Sequence, residues 1–121
     1  MFELTIKTEF AAAHCLREYE GACERLHGHN YKIDAVLCGE RLGDQGMLID
    51  FKEIKAALAD ITAGLDHVFL NDAEPFAEIN PTAENIAKHI AEALAARLPE
   101  GVGVKAVTVW ESDRCGATFV P

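Results

Sequence analysis

The sequence predicts an α+β protein with the element order ββααββ, a four-stranded antiparallel sheet with two helices on one face. Three observations carry that prediction. Apolar and polar residues alternate toward both sides of the first histidines, two apolar stripes at helical spacing fill the middle of the chain, and turn or cap signals separate these segments.

Phe2, Leu4, Ile6, Phe10 and Ala12 share one parity, so residues 2–14 read as a strand with one buried face. His14 continues that parity unless a bulge intervenes. Tyr31, Ile33, Ala35 and Leu37 share the parity of His27 and His29, which puts the histidines of the second strand on its apolar side. Residues 39–46 are turn-rich, and Asp50 with Glu53 makes a capping-box-like helix start. Phe51, Ile54, Leu58, Ile61 and Leu65 then recur at helical spacing. A second start at Asn80-Pro81-Thr82 precedes the stripe of Ala83, Ile86, Ala87, Ile90, Leu94 and Leu98, which Pro99 and Gly101 stop. Residues 102–110 and 115–120 read as two further strands joined by the turn Ser112-Asp113-Arg114. Such a sheet leaves one face and its edges uncovered. Oligomerisation would cover them, and Lys7, Glu9, Lys32 and Asp34 on the polar parity equally suit a monomer with charged edges.

At 121 residues, with no linker, repeat or low-complexity tract, the chain reads as a single domain over residues 1–121. Half of the residues are hydrophobic and 26% are charged, a globular composition rather than a disordered one. The start MFELTIKTEF carries acidic residues and lacks a long apolar run, so it reads as neither a signal peptide nor a membrane span and points to a cytoplasmic protein. The four cysteines, Cys15, Cys23, Cys38 and Cys115, form no CxxC pair and read as reduced thiols. A net charge of −9 argues against nucleic acid as a partner. An anionic substrate must then be met locally, by a metal, a helix N-terminus, or residues such as Lys32, Arg25 and Arg114.

The pattern that carries chemistry is Cys23 followed by His27, Gly28 and His29, with His14 closing the run Phe10-Ala11-Ala12-Ala13-His14. Residues two apart in a strand face the same way, so His27 and His29 project together, and two adjacent strands can aim three imidazoles at one point. Imidazole suits borderline-soft zinc, and three protein ligands leave a fourth position for water or substrate. Taken singly, each histidine is also explained as a turn residue or a hydrogen-bonded core residue. Three of the five histidines on inferred inward faces favour a shared Zn2+. Cys23 is either a fourth ligand closing a structural site or a free thiol beside the metal, acting as nucleophile or base.

These residues resemble the 6-pyruvoyl-tetrahydropterin synthase and 6-carboxy-tetrahydropterin synthase superfamily, of the tunnelling fold. The matching motifs run through nearly the whole chain: residues 10–14, the C-x-x-x-H-G-H of residues 23–29, Ile49-Asp50-Phe51, Leu65-Asp66-His67 with Leu70-Asn71, residues 80–85, and Glu111. The three-residue spacing between Cys23 and His27 is similar to the bacterial carboxy-forming branch. That resemblance implies zinc-dependent conversion of 7,8-dihydroneopterin triphosphate to 6-carboxy-5,6,7,8-tetrahydropterin, releasing acetaldehyde and triphosphate, in formation of the queuosine precursor.

It also implies the roles of individual residues. His14, His27 and His29 would hold the zinc, Cys23 would abstract a proton, Asp66 and His67 would form its partner dyad, and Glu111 would bind the pterin ring. Without the resemblance, Asp66 and His67 read as a helix C-terminus, Glu111 as a strand-end acid, and Thr82 and Glu84 as capping residues. His89 reads as a helix-surface or interface residue. The superfamily further implies a homo-oligomer, a hexamer, in which sheets of several subunits close a barrel and neighbours share catalytic residues. Glu24 keeps a pyruvoyl-forming or aldolase-like reaction on the same substrate as the alternative. A non-catalytic zinc-binding protein, with Cys23 completing a closed site, is the rival outside enzymes.

Overall fold

Thirteen consecutive residue pairs join the first two strands of the computed structural model, which describes residues 1–18 and 25–121. Cys23 and Glu24 lie outside the described residues. Strand β1 (Phe2–His14) runs antiparallel to β2 (His27–Gly39) from Phe2 opposite Gly39 to His14 opposite His27. No bulge interrupts that ladder, so each strand keeps its parity from the core to the histidines. Ile6, Phe10 and Ala12 are buried on β1, and Tyr31, Ile33, Ala35 and Leu37 are fully buried on β2.

Helix α1 (Phe51–Ala63) starts where expected, with the Asp50 carboxylate accepting the Lys52 N–H at 2.9 Å. Ile54 and Leu58 are buried, and Leu65 is buried just beyond the helix end. Phe51, in the first turn at the edge of the apolar stripe, stays about half exposed. Helix α2 (Ala83–Ala95) is capped by Thr82, whose hydroxyl accepts the Asn85 N–H at 3.1 Å. Ile86, Ala87, Ile90 and Leu94 point fully into the core. Burying a side chain of the leucine or isoleucine class is worth about 1.5–3 kcal/mol, so Ile86, Ile90 and Leu94 hold α2 in place far more firmly than its cap does.

Strands β3 (Gly103–Trp110) and β4 (Gly116–Phe119) complete an antiparallel sheet in the order β1-β2-β3-β4. Both helices lie on its apolar face, α1 against β1 and α2, and α2 against β3 and β4. Pairing of β2 with β3 shifts between Val36 and Leu37, which leaves Lys105 as an extra residue and turns it toward Glu3 on the polar face. That face carries charge pairs, among them Lys7 with Asp34 across β1 and β2 at 2.9 Å and Lys32 with Asp113 of the turn after β3 at 3.1 Å.

The segment after α1 lies along the outer edge of β1. There the His67 N–H donates to the Ala11 carbonyl at 2.6 Å and the Ala13 N–H donates to the Val68 carbonyl at 3.1 Å. Its bonds to that edge fall, among the described residues, at the histidine-bearing end. Among the described residues, no helix is long and apolar enough to cross a membrane.

Candidate metal centre and active site

Preserved parity brings His14, His27 and His29 together at the end of the hairpin. One ring nitrogen from each lies within 4.8 Å of the others. The rings meet edge to face, with centroids 4.6–5.2 Å apart across the three pairs. His14 is almost fully buried and its partners half-buried.

Hydrogen bonds settle which nitrogens carry protons. His14 Nδ1 is 2.7 Å from the Pro81 carbonyl and His27 Nδ1 is 2.6 Å from the Arg25 carbonyl. A carbonyl only accepts, so both Nδ1 atoms are the protonated ones and both Nε2 atoms present lone pairs in the neutral rings. Those two Nε2 atoms face each other at 3.0 Å. His29 Nε2 is buried with no hydrogen-bond partner among the described residues. Two opposed lone pairs and an orphaned buried nitrogen are costly by themselves and become favourable around a shared cation. The set fits a divalent metal that prefers imidazole.

Burial pushes His14 and His29 below the ordinary histidine value of 6.5, against the opposing pull of the nearby Glu111 carboxylate. Both rings are thereby biased toward the neutral, ligating form. Tyr31, next on the same face of β2, has its hydroxyl buried without a partner among the described residues, and burial raises its pKa.

Glu111 follows β3 and stands with Oε1 3.9 Å from His14 Nε2. Its position comes from a tight turn: the Glu111 N–H donates to the Cys115 carbonyl at 3.0 Å, and the Ser112 hydroxyl accepts the Cys115 N–H at 3.2 Å. Gly116 opposes Trp110 across the ladder, and a Cβ there would come within 2.6 Å of the indole, so only glycine lets the ring lie over the strand end. A cavity of about 410 Å3 opens beside Glu111, bounded by Thr82, Glu84 and Cys115.

Asp66 and His67 sit on the edge segment instead. One Asp66 oxygen, Oδ1, accepts both the Ala11 N–H and His67 Nδ1–H, each at 2.9 Å. His67 takes a left-handed φ of +55°, a conformation that costs a non-glycine residue about 1–2 kcal/mol and that the two bonds to Ala11 hold in place. Its ring is mostly exposed and borders a cleft of about 540 Å3 that His29 also lines.

A family profile described as 6-pyruvoyl tetrahydropterin synthase matches residues 3–121. The chain belongs to that family. Within it, a 6-carboxy-5,6,7,8-tetrahydropterin synthase of Bacillus subtilis is 37% identical over 80% of this chain and 68% of its own length. A dihydroneopterin monophosphate aldolase of Pyrococcus furiosus is 34% identical over 91% of this chain and 90% of its own. The solved 6-pyruvoyl tetrahydropterin synthase of Caenorhabditis elegans superposes with a TM-score of 0.88 at 27% identity, covering 99% of this chain and 95% of that one. This family of lyase-type enzymes accounts for the four-stranded antiparallel sheet with two helices, the tunnelling fold expected from the sequence.

In this family member the three predicted histidines converge and Glu111 joins them, while the Asp66-His67 pair forms as a pair at the sheet edge. Cys23 falls outside the described residues. Thr82 acts as the cap its position suggested. His89, read as a surface or interface residue, is half-buried and packs edge-on against Phe76 at 5.5 Å. Sequence reading missed Arg17 and the Pro81 carbonyl. No spacing rule singles out a lone arginine or a main-chain oxygen.

Asp66 is held below its ordinary value of 3.8, chiefly by the Ala11 N–H and next by His67. A depressed carboxylate contributes stability that is complete above its unfolded value and is lost as pH falls through the folded one. Asp66→Asn keeps an oxygen acceptor but no charge. In urea unfolding, the parent should therefore be more stable than the variant near neutral pH, and the gap should close as pH falls below the ordinary carboxylate range. A gap that does not change with pH would contradict the assignment.

Proposed function

We propose that this chain is a zinc-dependent 6-carboxy-5,6,7,8-tetrahydropterin synthase. It converts 7,8-dihydroneopterin triphosphate to 6-carboxy-5,6,7,8-tetrahydropterin with release of acetaldehyde and triphosphate, a step toward queuosine, a 7-deazapurine. The observation that carries the reading is the Glu111 carboxylate 3.9 Å from a ring nitrogen of the three-histidine cluster, a position that suits a pterin anchor next to a bound metal. The similarity to curated carboxy-forming relatives supports the choice of product.

His14, His27 and His29 hold the metal in this reading, and zinc, when bound, stabilises negative charge developing on the substrate's side-chain oxygens. Glu111 accepts paired hydrogen bonds from the amino and N3–H groups of the pterin, fixing the ring's orientation. Cys23, four residues before His27, takes a proton from carbon as a thiolate. His67, oriented by the Asp66 carboxylate, exchanges protons with that thiol. Cys23→Ala should retain zinc and bind substrate while losing nearly all turnover. A variant that purifies without zinc would make Cys23 a ligand and favour the closed, non-catalytic site.

A second reading is aldolase-like cleavage of a dihydroneopterin phosphate, favoured by the Pyrococcus furiosus relative and by Glu24 beside Cys23. A pyruvoyl-forming reaction belongs to the same comparison. Incubation with the triphosphate, mass spectrometry of the pterin and an acetaldehyde assay separate them. Carboxypterin with acetaldehyde supports the synthase, and a hydroxymethyl or pyruvoyl product overturns it.

The protein acts as a homo-oligomer, a hexamer in this reading, with catalytic residues of neighbouring subunits meeting at their contacts. Support comes from the β1 edge, to which the segment after α1 bonds at one end among the described residues, and from the exposed placement of His67. Mixing inactive Cys23→Ala and His67→Ala subunits should then restore part of the activity. No rescue after confirmed subunit exchange would place a complete site in each chain.

A further inference from the structure

We propose that Arg17, Asn71 and Asn80 form a clamp that positions His14 for metal binding. The proposal rests on the metal site described above and assigns to it three residues that ligate nothing. After β1 ends at His14, residues 15–17 have two asparagine side chains in place of a neighbouring strand. Asn71 Oδ1 accepts the Cys15 N–H at 3.0 Å while its Nδ2 donates to the Cys15 carbonyl at 2.8 Å. Asn80 does the same two residues on, accepting the Arg17 N–H at 2.9 Å and donating to the Arg17 carbonyl at 3.2 Å. Each amide thus pairs with both main-chain groups of one residue, as a residue of an adjacent strand does.

Arg17 closes the grip from the other side. Its guanidinium donates to the carbonyls of Asn71 at 3.1 Å, Phe76 at 2.7 Å and Ile79 at 3.2 Å, tying the loop over residues 71–80 to the segment that the loop's own asparagines hold. None of the charge pairs among the described residues involves Arg17. Its planar fork is committed to main-chain oxygens.

The consequence falls on Pro81. Asn80, held by Arg17, in turn accepts the Thr82 N–H at 2.8 Å and Asn85 Nδ2 at 2.9 Å on its carbonyl, so the residues on both sides of Pro81 are fixed. The Pro81 carbonyl is the acceptor for His14 Nδ1–H. That bond determines that Nε2, the atom facing His27, carries the lone pair. Removing the outer partner of a ligating histidine typically weakens metal binding about 10–100-fold. A clamp serving the fold alone would lower stability and leave metal affinity in the folded protein unchanged.

The test compares zinc dissociation constants of the parent with those of Asn80→Ala and Arg17→Met, by competition with a chromophoric chelator, under conditions where circular dichroism shows each protein folded. Both variants should bind zinc about 10–100-fold more weakly, with Arg17→Lys between them and the parent. Imidazole nitrogen NMR of the metal-free proteins should show His14 protonated at Nδ1 in the parent and losing that preference in Asn80→Ala. Folded variants that bind zinc as tightly as the parent would overturn the proposal. Should the two stronger variants fail to fold, Arg17→Lys and the parent's spectrum decide, and a parent His14 protonated at Nε2 would overturn it. A parent that binds no zinc would sink the metal reading itself, while the His14 tautomer still tests the clamp.

Discussion

Two imidazole nitrogens face each other at 3.0 Å near the end of the hairpin of β1 and β2, and in the neutral rings both present lone pairs, because the opposite nitrogen of each ring donates to a main-chain carbonyl. A third buried nitrogen beside them has no hydrogen-bond partner among the described residues. In a low-dielectric setting this arrangement opposes folding unless a cation occupies the space between the rings. Much of the rest of the structure can be understood as what is required to hold it. The ladder between β1 and β2 runs without a bulge for thirteen pairs, and a slip of one residue would turn the histidines of the slipped strand away from those of its partner.

The site also depends on elements far away in sequence. Pro81 lies 67 residues after the histidine whose proton it accepts, and it reaches that ring because Thr82 starts α2 and because α2 is anchored by Ile86, Ile90 and Leu94 in the core. Glu111 arrives through the turn that joins β3 to β4. Imidazoles from two strands, an orienting carbonyl at a helix start and a carboxylate at a strand end therefore meet only when sheet and helices pack together. The dyad of Asp66 and His67 is placed differently, on the segment that pairs with the edge of β1, with the histidine ring outward.

The strands and helices were legible because their signals are periodic, and burial enforces the period. Alternation through Phe10, Ala12 and His14 predicted which way His14 points, and the ladder preserved it. The starts at Asp50 and Thr82 were legible because cap chemistry is local. Contacts without local periodicity were not. Nothing in the sequence around Arg17 indicates three carbonyls from a loop more than fifty residues away, and His89 gave no sign that Phe76 would cover it. Phe51 erred in the other direction, since a stripe specifies a direction and leaves the coverage at a helix end undetermined. Asn71 and Asn80 stood within recognisable motifs, yet their pairing with residues 15 and 17 is a property of the assembled fold.

What the cluster does depends on which atoms surround its metal. X-ray absorption at the zinc edge of the purified protein, with and without substrate, reads those atoms directly. Three imidazole nitrogens and one oxygen whose distance or identity changes when substrate is added is the result expected from His14, His27 and His29 holding an open site. A sulfur ligand with no exchangeable oxygen would mean that Cys23 closes the site and that the cluster is structural. A protein that binds no zinc would contradict the account at its root.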